Sequence, residues 1–95
     1  MQEFNLEWDG NDIPGAISLA FHYLEMRDEI VGFIYASPKT LKKIILGAPN
    51  EVIFDYIPDG IGLIRTAYLK RKAMQDDVLL VMNMERNIEL RLILK

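Results

Sequence analysis

The sequence predicts an α+β domain in which two helices pack on a mixed or antiparallel sheet of about five to six strands. Three observations lead to that class. The chain closes on IELRLILK, where Ile88, Leu90, Leu92 and Leu94 alternate with Glu89 and Arg91, the period of a strand with one buried face. Residues 14–29 and 38–47 carry apolar side chains at helical spacing, each behind a capping residue. The signals run strand, helix, strand, helix and then four strands on short links, an order that belongs to helices laid on one sheet.

Taken in order, QEFNLEW is a strand with Phe4, Leu6 and Trp8 on one side and Glu3, Asn5 and Glu7 on the other, placed at a sheet edge. Asn11 or Asp12 caps the helix PGAISLAFHYLEMRDE, whose first turn holds Pro14. Ile17, Ala20, Phe21 and Leu24 form its apolar stripe, Leu19, Tyr23 and Met26 broaden it, and Ser18, His22, Glu25 and Glu29 lie opposite. EIVGFIYAS is nearly continuous in branched and aromatic residues and reads as a central strand. Ser37 as N-cap and Pro38 at the first helical position then start PKTLKKIILG, with Leu41, Ile44 and Ile45 inward and Gly47 at its end. EVIFDYI is a strand, PDG a turn, and IGLIRTAYLKRK one longer strand in which Leu63, Ala67 and Leu69 share a face interrupted by Arg65. AMQDD leads to VLLVM, and Glu85, Arg86 and Asn87 link that strand to the last one beside it.

Ninety-five residues suffice for a single domain, 1–95, with a small core. Hydrophobic residues make up 51% and charged residues 26%, which excludes the low-hydropathy composition of disordered chains. No apolar run approaches the roughly 20 residues a membrane helix requires, so no membrane partner is expected. The chain has no cysteine, and its early acids Glu3, Glu7, Asp9 and Asp12 replace the basic start of a signal peptide. A cytoplasmic protein, of the producing or host cell, is the expectation.

No catalytic, cofactor or metal motif stands out. His22 is the single histidine, which removes a histidine metal cluster within one chain. Ser18, His22 and Glu25 follow one another along a helix like a triad, but they form an outward stripe without the sharp turn that exposes a nucleophilic serine. Asp76 and Asp77 read as turn residues rather than a calcium loop, and Asp55, Asp59 and Arg65 as a structural acid–base grouping around the PDG turn. The expectation is therefore no enzyme, no cofactor and no bound metal.

The net charge of −3 argues against a general nucleic-acid surface, yet two basic clusters stand out. Lys39, Lys42 and Lys43 follow a helix start whose free amides attract anions, and Lys70, Arg71 and Lys72 follow Tyr68, a ring able to stack on a base. A small nucleic-acid or anion-binding protein using these six residues is the alternative function, and a small enzyme is the third class.

The succession GFIYASPKTLKKIILG, then strands with IPDGIG, then RNIELRLILK resembles the latter part of tailed-phage major capsid proteins with the HK97-type shell fold. Residues 31–47 carry most of the likeness, with Ser37 and Pro38 matching the helix start that follows a strand in that family. The resemblance implies a viral or phage structural or accessory protein that works through subunit contacts rather than turnover. Apolar patterns at residues 16–26, 30–36 and 78–94 point the same way, because they exceed what two helices readily cover. A protein partner or a homo-oligomer is expected, with Phe4, Trp8, Tyr23, Tyr35, Tyr68 and Ile93 as candidate interface residues.

Overall fold

The computed structural model describes residues 1–9, 12–47, 52–53 and 60–95. Seven strands join in one mixed sheet: β1 (Gln2–Trp8), β2 (Val31–Ala36), β3 (Val52–Ile53), β4 (Gly60–Ile64), β5 (Ala67–Arg71), β6 (Val78–Asn83) and β7 (Ile88–Leu94). Their order across the sheet is β1-β7-β6-β2-β5-β4-β3. β1 is parallel to β7 and β2 to β5, while the remaining neighbours are antiparallel. Helices α1 (Ile13–Glu25) and α2 (Pro38–Gly47) follow β1 and β2 in the chain. The expected class holds: two helices on a mixed sheet, with β1 at an edge, β2 in the centre and the last two strands side by side.

Each helix starts where its cap requires. The Asp12 carboxylate accepts from the Gly15 N–H at 2.9 Å at the head of α1, and Ser37 Oγ accepts from the Thr40 N–H at 3.2 Å at the head of α2. α1 buries Ala16, Ile17, Ala20, Phe21 and Leu24, and α2 buries Thr40, Leu41 and Ile44. These side chains meet Ile34, Leu69, Leu79, Val81, Leu90 and Leu92 of the sheet in one core cluster. Each large apolar side chain so enclosed contributes roughly 1.5–3 kcal/mol relative to exposure. α1 stops at Glu25, so Met26 does not extend its apolar stripe and is 69% exposed.

The run from Ile61 to Lys72 is not one strand but the hairpin β4–β5, which raises the strand count to seven. Ile64 pairs with Ala67 and Leu63 with Tyr68 across a turn at Arg65 and Thr66, where Arg65 takes a φ of 55°. Tight hairpins need a positive φ, and the usual glycine or asparagine is absent. Tertiary contacts hold the turn instead: Arg65 donates to Ser18 Oγ at 3.0 Å and lies over the Phe21 ring, and Thr66 Oγ1 donates to the Val31 carbonyl at 3.1 Å. The turn also changes the faces: Ile64, Ala67 and Leu69 enter the core, while Leu63 stands across from Tyr68 on the other side. Of the expected strand EVIFDYI only Val52–Ile53 is described, and Pro58 and Asp59 of the PDG turn lie outside the described residues.

A bulge in β2 sets which side chains of the central strand face the helices. The β2–β6 register shifts between Val31 and Phe33, so Val31 and Ile34 both reach the core although three residues apart. Gly32 makes this possible, since a Cβ there would lie 2.7 Å from Met84 Cα and 3.0 Å from its nitrogen. Those are backbone atoms of the β6–β7 turn, fastened by the Met84 N–H to the Ile30 carbonyl at 2.8 Å, so they cannot simply rotate away. Gly32→Ala is expected to lower unfolding free energy by about 1–3 kcal/mol through this overpacking. Chemical denaturation with an unchanged midpoint would contradict it.

Candidate functional site

The polar residues with the shape of chemistry are engaged elsewhere. Ser18 Oγ accepts from Arg65, Glu29 accepts from Asn83 Nδ2 at 2.8 Å, and His22 and Glu25 stand exposed on α1, so the stripe does not converge on one reacting centre. Among the described residues, no three His, Cys, Asp or Glu side chains come together as metal ligands. No described helix is long and apolar enough to cross a membrane. Asp55 and Asp59 fall outside the described residues. A shallow pocket between Trp8, Ile13 and Leu94 has polar walls from Asp12, Lys43, Asp77 and Lys95. Three of those four walls are ion-paired, Lys43 and Asp77 with each other and Lys95 with Glu7 at 2.8 Å, and the second pair raises the Lys95 pKa through its bond to Glu7.

The head of α2 meets an anion from within the chain. Ser37 Oγ donates to the Asp76 carboxylate and lies 2.9 Å from Thr40 Oγ1, which accepts from the Asp77 N–H at 2.8 Å. Asp76 thus places negative charge at the positive end of the helix, where the alternative reading of the sequence set an outside anion. Asp76 and Asp77 fasten the link before β6 to α2 rather than merely solubilising it. Lys43 is paired with Asp77, while Lys39 and Lys42 are exposed on the helical layer.

The two basic clusters do not share a surface. Lys70 Nζ lies 5.6 Å from the Phe33 ring centre and Lys72 Nζ 5.6 Å from that of Tyr35, which puts both on the side of the sheet opposite α2. Arg71 alternates between them, in register with core-facing Ala36. The candidate interface residues divide likewise. Phe4 and Tyr23 meet edge to face at 5.4 Å beneath Arg27, and Trp8 packs over Gly15 and donates to the Asp12 carbonyl at 3.1 Å, all three against the core. Tyr35, Tyr68 and Ile93 belong to the helix-free face.

That face is the most distinctive surface of the described structure. Strand registers lay Met82, Phe33 and Tyr68 side by side, with Leu80 and Tyr35 as the next row and Val78 beside Ile93 in the third. Tyr35 and Tyr68 stack on Phe33 with ring centres 6.2 and 6.0 Å apart. Phe33, Val78 and Leu80 are buried yet stand outside the main core, while Tyr35, Tyr68, Met82 and Ile93 are half-buried. No described element covers them; instead Lys70 and Arg86 lie over Phe33 and Lys72 over Tyr35, long side chains whose stems shield the rings while their charges reach water.

At one end of this face, Asn83 fixes the turn that carries Arg86. Its side chain is fully buried, its Oδ1 accepts from the Asn87 and Ile88 N–H groups, each at 3.0 Å, and its Nδ2 donates to Glu29 and Asn87 Oδ1. Nothing in VLLVMN marks Asn83 as more than the polar end of a strand; an asparagine closing an apolar run before a short link is the only sequence signal. Comparisons of the chain with protein-family models, curated proteins and solved structures give no match.

Asn83→Ala removes the partners of two backbone amides and is expected to destabilise the fold by about 2–3 kcal/mol. Asn83→Asp keeps the acceptor but sets a carboxylate against Glu29, and is expected to be at least as costly. Denaturation curves on both variants check this, and an aspartate variant as stable as wild type would contradict it.

Proposed function

We propose that this chain is a non-enzymatic protein-interaction or self-assembly domain whose docking surface is the helix-free face of its sheet. One observation carries the reading: the apolar band of β2, β5, β6 and β7 on that face has no described element over it. A sheet face in contact with water normally alternates toward polar residues, and here its two central strands carry half-buried Tyr35 and Met82 beside buried Phe33, Val78 and Leu80. The draped lysines and arginine keep the free face wet enough to remain dispersed, and they can swing aside when a partner replaces water. Docking by such a surface is expected to be reversible, because uncovering the rings gives back part of what the contact gains.

The resemblance of residues 31–47 to phage capsid proteins suggests a structural or accessory role in a particle as the biological form of this contact. A cytoplasmic setting, in the producing or host cell, fits a chain without cysteine. Nucleic-acid binding is the second reading, favoured by Tyr35 and Tyr68 standing near Lys70, Lys72 and Arg86. It ranks second because the cations already occupy ring faces a base would need, Lys39, Lys42 and Lys43 are on the other layer, and Glu3 and Glu89 share the open face.

The test is the size of the protein in extracts of cells that make it. Wild type is expected to elute well above its 11.0 kDa subunit mass, and Tyr35→Lys combined with Met82→Lys to elute as a free subunit with its fold intact. A wild type running as a free subunit, or a folded face variant eluting like wild type, would overturn the reading.

A further inference from the structure

The outer edge of β1 leaves a row of backbone groups without partners. β1 has β7 on one side and, among the described residues, no strand on the other. In an extended strand the N–H and C=O of one residue point to the same side, and those of the next residue to the opposite side. The Gln2 N–H donates to the Asn87 carbonyl and the Trp8 carbonyl accepts from the Lys95 N–H, so the even-numbered residues of β1 face β7. The groups of Glu3, Asn5 and Glu7 therefore point outward. β1 runs seven residues in unbroken register with β7, without the proline, lysine or bulge that blunts many edges.

The side chains along this edge divide by face. Phe4, Leu6 and Trp8 turn to the helical side, where they pack against the core yet stay half-buried. Glu3, Asn5 and Glu7 are exposed on the opposite face. Glu3 stands beside Glu89 of β7, and neither forms an ion pair among the described residues. Adjacent like charges on one sheet face disfavour each other, so this pair gains from a cation brought from outside. Glu7 is paired with Lys95, but both side chains are about half exposed, and such a pair is weak and exchangeable. Asn5 lies beside Arg91 and requires no further base.

We infer that β1 is a docking edge for an extended basic segment of a partner protein, added to the sheet as a further strand antiparallel to β1. Its residues opposite Glu3, Asn5 and Glu7 exchange backbone hydrogen bonds with them, and lysine or arginine opposite the two glutamates meets their carboxylates. The residues in between lie against half-buried Phe4 and Leu6 on the helical side and are apolar. This contact lies beyond β1 and goes beyond the sheet face of the proposed function. A second copy of β1 does not fit the edge, because antiparallel pairing centred on Asn5 sets Glu3 against Glu7 twice. A polyanion is repelled by the same carboxylates.

The experiment is a titration of the purified full chain followed at its backbone amides by NMR. The probe is a capped heptapeptide in which valine alternates with lysine, serine and lysine, and its counterpart has glutamate in place of both lysines. Centred on Asn5, the basic peptide sets its lysines against Glu3 and Glu7. It is expected to shift the Glu3, Asn5 and Glu7 amides and slow their hydrogen exchange, with the acidic peptide weaker by about tenfold or more. Asn5→Pro removes an outward N–H and none that pairs with β7, so the fold is kept while binding falls by about tenfold or more. Glu3→Lys with Glu7→Lys is expected to prefer the acidic peptide, a reversal that no misfolded variant can give.

No shift at β1 with either peptide, equal binding of the two peptides, or an Asn5→Pro variant that binds as wild type does would overturn the assignment. Shifts that gather on Phe33, Tyr35 and Tyr68 in place of β1 would do the same. Tyr35→Lys with Met82→Lys is expected to bind the basic peptide as wild type does, because the added strand lies beyond β1 and not over β2 and β6. Loss of binding in that variant would move the contact from the edge to the face. The edge and the face are thereby tested apart, and either can fail while the other stands.

Discussion

Two helices, of thirteen and ten residues, share one side of a seven-stranded sheet, and the rest of the molecule follows from that arrangement. A sheet has two faces, and a chain this short supplies helical cover for one. On the covered side the solution is ordinary: small and branched side chains of α1 and α2 sit on Ile34, Leu79, Leu90 and their neighbours with no measurable exposure. On the other side the central strands are just as apolar, and among the described residues Lys70 and Arg86 lie over Phe33 and Lys72 over Tyr35.

Fixing the sheet against the helices takes a small number of polar fastenings, and none is spare. Ser37 and Thr40 join the head of α2 to Asp76 and Asp77, thirty-nine positions further along in the case of Ser37 and Asp76. Asn83 closes the β6–β7 turn and reaches back to Glu29 before β2. Gly32 lets the β2 bulge pass against the Met84 backbone. These contacts tie the middle of the sheet to its loops, and they place Arg86 and Lys72 at opposite ends of the aromatic band. Ser18, Asp76 and Asp77, which resemble chemical groups in the sequence, serve here as structural fittings.

Much of this was legible in the sequence. The alternation of residues 88–94 identifies a strand with one buried face, Asp12 and Ser37 mark the two helix starts, and continuous apolarity at 31–36 marks the centre of the sheet. The β4–β5 hairpin was hidden because its turn relies on Arg65 in a left-handed conformation, stabilised by Ser18 and Phe21 from a helix remote in sequence. The parallel pairing of β1 with β7 was hidden for a related reason: it joins opposite ends of the chain, and no local pattern records it. The open face had a signal that was there to read. VGFIYA and VLLVMN are apolar on both sides, and two helices cannot cover both sides of the strands they form. Phe4, Trp8 and Tyr23 offered the same aromatic character to sequence inspection, but β1 directs Phe4 and Trp8 to the helical side, where Phe4 meets Tyr23 of α1, and only the topology separates them from Tyr35, Tyr68 and Ile93.

The central claim, that the side of the sheet with no described element over it is where this protein meets its partner, is tested most directly by hydroxyl-radical labelling of wild type, dilute and in its assembled state. The account predicts that Tyr35, Tyr68 and Met82 are labelled in the dilute protein and protected on assembly, while exposed Met26 on the helical layer is labelled equally in both. Protection that falls on Met26 and the outer surfaces of α1 and α2, with the three open-face residues unchanged, would contradict it.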